Sequence, residues 1–138
     1  IPGEGTIIVS IPAGIAKDAA ENPNLAGTST DNVVTRDLTL PFVGSISTKS
    51  GTEIEVTFST AMGTGVTNPN NYTISGDTGT LATRPDSVTF VGGNIYNLKW
   101  NAGQMATSGT VTITVKAVKN DVGKPIGKPD SATAVITF

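Results

Sequence analysis

The sequence predicts an all-β chain folded as an antiparallel β-sandwich, and three observations carry that prediction. Apolar and polar residues alternate with period two in several short runs, the pattern of strands with one buried face. Clusters of Gly, Asn, Asp and Pro separate those runs and supply turn chemistry, with 16 Gly and 8 Pro available for it. Only 14% of residues are charged while Ser, Thr and Val abound, which is a sheet composition and not a helical one. At 138 residues the chain is long enough for one well-buried core plus an appendage.

The elements follow in chain order. Ile7, Val9 and Ile11 share one side of a strand whose other side carries Thr6, Ile8 and Ser10. A long loop leads to a second candidate strand over residues 32–38. The stretch Thr35 to Phe42 then reads as a boundary, because Pro41 fixes φ and withholds a donor from any ladder. Residues 1–40 are thus expected to be a strand pair, and residues 41–138 a complete sandwich of about seven strands. Within the latter, Ile54, Val56 and Phe58 alternate with Glu53 and Glu55, the clearest half-buried strand of the chain. Asn68-Pro69-Asn70-Asn71 and Ser75 to Gly79 are turns. Gly92-Gly93, between Phe90-Val91 and Ile95-Tyr96, marks a hairpin. Tyr96, Leu98 and Trp100 give a strand face, as do Val111, Ile113 and Val115, then Ala132, Ala134, Ile136 and Phe138, with Asn120 to Gly123 as another turn. Residues 16–20 and 102–106 each suit a single helical turn at most.

The chain also repeats itself. Gly5-Thr6-Ile7-Ile8-Val9-Ser10-Ile11 runs into Ala13, Asp18 and Pro23; Gly109-Thr110-Val111-Thr112-Ile113-Thr114-Val115 runs into Ala117, Asp121 and Pro125. Gly5 and Gly109 are 104 positions apart, about the size of one ~100-residue sandwich domain. The first 40 residues therefore correspond to the closing hairpin of a unit like the one that follows. A lone hairpin is marginal in water, so it needs a partner surface.

Val56-Thr57-Phe58-Ser59-Thr60-Ala61-Met62, Asn71-Tyr72-Thr73-Ile74, and Val111 to Val115 with Val118-Lys119-Asn120-Asp121-Val122-Gly123-Lys124-Pro125-Ile126 resemble, in that order, the motifs of bacterial Ig-like repeats of the S-layer and surface-protein type. The resemblance covers residues 42–138. The first 40, with Lys17-Asp18-Ala19-Ala20-Glu21-Asn22-Pro23, resemble the tail of a preceding repeat, Glu21 and Lys124 standing where that turn often has Gly and Asn. The resemblance implies an Ig-like sandwich with a structural role at the bacterial surface. Phe58 and Met62 are expected in the core, and Asp18 and Asp121 on the backbone amides of their own turns.

Chemistry is sparse. Without His or Cys the common nucleophile–base pairs, zinc sites and thiol redox sites are excluded. Glu53 and Glu55 form a pair of carboxylates on one face, more consistent with a solvated surface than with acid–base work. Ser47, Lys49 and Ser50 read as a polar turn, not a Ser–Lys centre. Tyr72, Tyr96 and Trp100 would suit either a sugar-stacking platform or core packing, and with seven aromatics in the whole chain core packing is favoured. Asn71-Tyr72-Thr73 matches an N-glycosylation acceptor. Calcium is the one cofactor left open, with Glu4, Asp31 and Asp37 as donors near the boundary, although no Asp-rich Gly-containing loop is present.

Nine Lys and Arg in no basic run, with a net charge of −2, argue against nucleic acid as a partner. No apolar run approaches the roughly 20 residues of a membrane helix, and no signal segment is visible, so any export signal would lie outside this sequence. Absent Cys fits a bacterial exterior or a cytosol. The expectation is a non-catalytic extracellular or cell-surface module of an S-layer, adhesin or filament. Its partners would be other copies or adjacent repeats, with a cell-wall or glycan surface as a further candidate and the N-terminal strands open to exchange. The alternative is a carbohydrate-binding or accessory Ig-like module of a larger extracellular enzyme.

Overall fold

A computed structural model of the chain describes residues 3–138. They divide into two compact units, the first running to Thr39 and the second Leu40–Phe138. In the first, β1 (Gly5–Ile8) pairs antiparallel with β2 (Val33–Arg36), Ile7 facing Val34 and Ile8 facing Val33. Both strands are shorter than their alternation suggested, but a bond from Val9 N–H to the Asn32 carbonyl (3.0 Å) carries the ladder one pair further.

The second unit has seven strands: β3 (Val43–Ser50), β4 (Glu53–Phe58), β5 (Tyr72–Gly76), β6 (Ser87–Gly92), β7 (Ile95–Lys99), β8 (Thr110–Val115) and β9 (Asp130–Val135). They form a four-stranded sheet in the order β3-β4-β7-β6 and a three-stranded sheet in the order β5-β8-β9, with all pairs antiparallel. Seven strands in this order are the four-on-three Greek key of a constant-type immunoglobulin-like sandwich. The only described helix is one 3₁₀ turn, Pro69–Asn71. Asn68 caps it by accepting from the Asn70 N–H (3.1 Å), and the proline stands where no N–H is needed. The helical turns expected at 16–20 and 102–106 do not form; Lys17 stands in an isolated bridge, residues 19–20 in a turn, and residues 103–106 are irregular.

Alternation fills the core as expected along β4, β7 and β8. Ile54, Val56, Phe58, Tyr96, Leu98, Trp100, Val111, Ile113 and Val115 are all buried. Phe58 meets Tyr96 edge-to-face at 5.8 Å. Met62 is buried where the chain leaves β4, and Tyr72 opens β5 with its hydroxyl donating to the Val66 carbonyl (2.5 Å). Burial holds both tyrosine hydroxyls above the ordinary phenol range, Tyr96 adding a smaller coulombic contribution at Tyr72.

Three expectations need correcting. Ser47, Lys49 and Ser50 lie on β3, not in a polar turn. A bulge between Val43 and Ser45 shifts the parity, so that Val43 and Ile46 both face the core and the period-two signal is broken in the sequence. Thr48 takes the next inward slot, its hydroxyl accepting from the Thr137 N–H (3.1 Å). Phe138, expected on the apolar face of the last strand, is exposed, and so is the face formed by Ile7, Val9 and Ile11.

Candidate functional site

The repeat seen in the sequence is also a repeat of local structure, and it is the feature of the molecule that points most directly to a role. In the second unit β8 leads through Ala117, at φ 56°, to an isolated bridge between Lys119 and Pro125. That turn is closed by bonds from Asn120 N–H to the Lys124 carbonyl (2.9 Å), from Gly123 N–H to the Asn120 carbonyl (3.0 Å) and from Ile126 N–H to the Val118 carbonyl (3.0 Å). In the first unit β1 leads through Gly14, at φ 80°, to a bridge between Lys17 and Pro23. Its bonds run from Asp18 to Asn22 (3.0 Å), Glu21 to Asp18 (3.0 Å) and Asn24 to Ala16 (2.9 Å). The left-handed residue is Gly123 in one turn and Glu21, at φ 63°, in the other.

This superposition of bonds corrects the sequence pairing of the turn. The residue equivalent to Asp18 is Asn120, not Asp121. Asp18 Oδ1 accepts from the Ala20 N–H (2.9 Å) and the Asn22 N–H (3.0 Å), and Oδ2 accepts from Asn22 Nδ2 (3.1 Å). These bonds, the Asn22 side chain first, hold the Asp18 carboxyl below its ordinary value. Asn120 Oδ1 accepts from the Lys124 N–H (2.7 Å), whereas Asp121 is exposed and its N–H donates to the Ala61 carbonyl (3.2 Å).

What differs is the surroundings. Val111, Ile113 and Val115 are each 0% exposed, flanked in the sheet by β5 and packed in the core with residues of the opposing sheet; their counterparts Ile7, Val9 and Ile11 are 43%, 58% and 53% exposed. The second turn is clamped by residues 61–64: Gly63 N–H donates to the Lys119 carbonyl (2.9 Å), and Lys119 N–H donates to the Thr64 carbonyl (2.9 Å). Ile8 and Val33 are exposed on the ribbon's other face, where the second unit places Thr112 and Thr133 with hydroxyls 2.7 Å apart.

The remaining candidates do not assemble into a reactive centre. Glu53 and Glu55 point outward from β4 and pair with Lys99 (3.5 Å) and Lys49 (3.3 Å). Tyr72, Tyr96 and Trp100 are buried, with the Trp100 indole N–H on the Ala82 carbonyl (2.8 Å), so they offer no sugar-stacking platform. In Asn71-Tyr72-Thr73 the Asn71 side-chain amide donates to the Gly65 carbonyl (2.8 Å), closing the corner before β5. Glu4 Oε1 accepts from the Leu38 N–H and the Thr39 hydroxyl (both 3.1 Å), and Asp37 Oδ1 accepts from the Thr39 N–H (2.8 Å). The Asp31 N–H donates to Ser29 Oγ (3.3 Å). Among the described residues no three His, Cys, Asp or Glu are placed to hold a metal ion.

The second unit is by its topology an Ig-like sandwich, and the chain is similar in fold to solved structures of one S-layer protein. The chain matches the crystal structure of the N-terminal part of the bacterial S-layer protein SbsC with a TM-score of 0.62 and 22% identity, over 72% of this chain and 24% of that one. It also matches a longer crystal structure of the same S-layer protein (TM-score 0.58, 20% identity, 69% of this chain and 13% of that one). A structure of SbsC domains 1–6 gives 0.57 and 21%, over 70% and 14%. The likeness is one of fold, and the chain spans a quarter or less of the S-layer chains it matches. No protein-family model and no curated protein sequence matches the chain.

Proposed function

We propose that this chain is a non-catalytic structural module of a bacterial cell-surface or extracellular assembly, of the S-layer, adhesin or filament kind. In this reading the β1–β2 ribbon is the closing hairpin of an Ig-like unit and joins one unit to the next, within an array or between copies. The observation that carries it is the twinned hairpin. One structural motif occurs twice, and its apolar face is covered in one place and bare in the other. The likeness of fold to S-layer domains and the lack of an assembled reactive centre among the described residues support the same reading. A ribbon that completes a neighbouring unit makes a head-to-tail contact, and such contacts extend into arrays when they do not close.

Light scattering of the purified chain across a concentration series tests this. The expected result is a mass that rises with concentration and falls to that of a monomer in the Ile7→Asp/Val9→Asp variant. A chain that stays monomeric up to its solubility limit would contradict the proposal. Calcium at Glu4, Asp31 and Asp37 is not required by it, so the same masses are expected with and without chelator.

A further inference from the structure

We infer, resting on the assembly reading above, that the open edge of β1 accepts one extended strand of the β5 type from a separate Ig-like unit, in the register that β5 adopts on β8, while the adjoining turn stays in water. The backbone fixes which edge is open. Val9 N–H bonds the Asn32 carbonyl, so Gly5, Ile7 and Val9 direct their backbone groups towards β2. Thr6, Ile8 and Ser10 therefore direct theirs to the other side, where β1 has no strand neighbour among the described residues. The equivalent groups of Thr110, Thr112 and Thr114 are those that meet β5: Thr112 lies opposite Ser75, Thr114 opposite Thr73, and the Asp77 N–H donates to the Thr110 carbonyl (2.8 Å).

The side chains show what chemistry the added strand needs. On β8 the paired strand β5 presents Tyr72 and Ile74 to the core beside Val115 and Ile113, with Thr73 and Ser75 turned outward. Ile11 and Val9 keep the apolar character of those partners, and a depression lined by Val9, Ser10, Ile11, Gly27, Ser29 and Asn32 lies in the same strip. An alternating strand with a bulky residue opposite Ile11 and a branched one opposite Val9 fits this edge.

Four substitutions within the motif set the limit of the docking surface. Lys116 N–H donates to the Asn71 carbonyl and extends the β5 ladder (3.0 Å), but its counterpart is Pro12, which has no N–H to give. Beyond it, buried Val118, Asn120 and Ile126 are replaced by Ala16, Asp18 and Asn24. A carboxylate in place of a buried amide suits a turn left in solvent. The strand half of the motif retains the residues that need a cover, and the turn half has given them up.

Amide hydrogen exchange followed by NMR on the full chain tests this, with a synthetic peptide of residues 70–78 as the probe. The expected result is that excess peptide slows exchange at Thr6, Ile8 and Ser10 by at least about tenfold and leaves Lys17 and Ala19 unchanged. The effect should be lost in Ile7→Asp/Val9→Asp and kept in Ile8→Thr/Val33→Thr, which alters only the opposite face. Protection at Val33 and Thr35 instead, on the outer edge of β2, would overturn the inference while leaving the assembly reading intact. So would changes confined to Thr112 and Thr114, where the peptide would be displacing the resident β5, or no change at any amide.

Discussion

The β8–β9 hairpin and the β1–β2 ribbon share strand register, a left-handed corner and a proline-bridged turn, yet one lies at the centre of a core and the other has its apolar face bare. The difference separates two things that sequence patterns usually deliver together. Local bonds depend on turn chemistry and form the same way in both places. Burial depends on a covering layer, which the local sequence does not contain. Identical grammar with unequal cover makes the pair an internal experiment on what each residue contributes.

The largest contrast is expected at the matched apolar positions. Ile113→Ala empties a fully buried site and is expected to cost about 2–5 kcal/mol in chemical unfolding of the sandwich. Val9→Ala, at the matched position, should change it by less than about 0.5 kcal/mol. Equal costs would mean that the ribbon is already covered in the isolated chain.

The turn gives the next contrast. Asn120→Asp places a carboxylate in a site 7% exposed, where the charged form is disfavoured and the folded pKa is raised. The variant's penalty should therefore grow as pH rises above the ordinary aspartate value near ~3.9. Asp18 has the opposite sign. Its folded pKa is depressed, so its contribution is present above that value and is lost as pH falls through the folded one. Asp18→Asn should remove that acid dependence from the first turn, read by the exchange of the Ala20 and Asn22 amides, and leave the second turn untouched.

A third contrast is confined to the sandwich. The Tyr72 hydroxyl is held protonated by burial, so the unfolded chain ionises first and stability should fall as pH rises past about 10. Tyr72→Phe should flatten this alkaline limb in denaturant titrations, at a cost near 1 kcal/mol for the lost bond to Val66. The smallest effect is expected at the corner. Ala117, exposed and at φ 56°, carries a left-handed strain of roughly 1–2 kcal/mol that glycine would relieve. Greater flexibility of the unfolded chain offsets part of this, so Ala117→Gly should raise stability by no more than about 1 kcal/mol.

Much of the sandwich could be read from residues alone, because β4, β7 and β8 each put apolar side chains on one face and Glu, Asn, Lys or Thr on the other. Strand β3 could not, since the bulge at its start changes which parity faces inward and a threonine fills a core position. The repeat was visible in its strand half, where equivalent residues lie 104 positions apart. Its turn half was misaligned, because five residues separate Ile11 from Lys17 and only three separate Val115 from Lys119. That contraction hid the match of Asp18 to Asn120. The exposure of Ile7, Val9 and Ile11 had no local signal at all, because alternation marks a face that wants cover without saying where the cover comes from.

The central claim, one motif covered and one bare, is tested most directly by residue-resolved hydrogen exchange on the dilute chain with nothing added. Thr112 and Thr114, paired to β5 in the core, should exchange slowly through opening of the whole sandwich, while Ile8 and Ser10 should exchange nearly as fast as in an unstructured chain. Comparable protection at the two sets of amides in a monomeric sample would contradict the account.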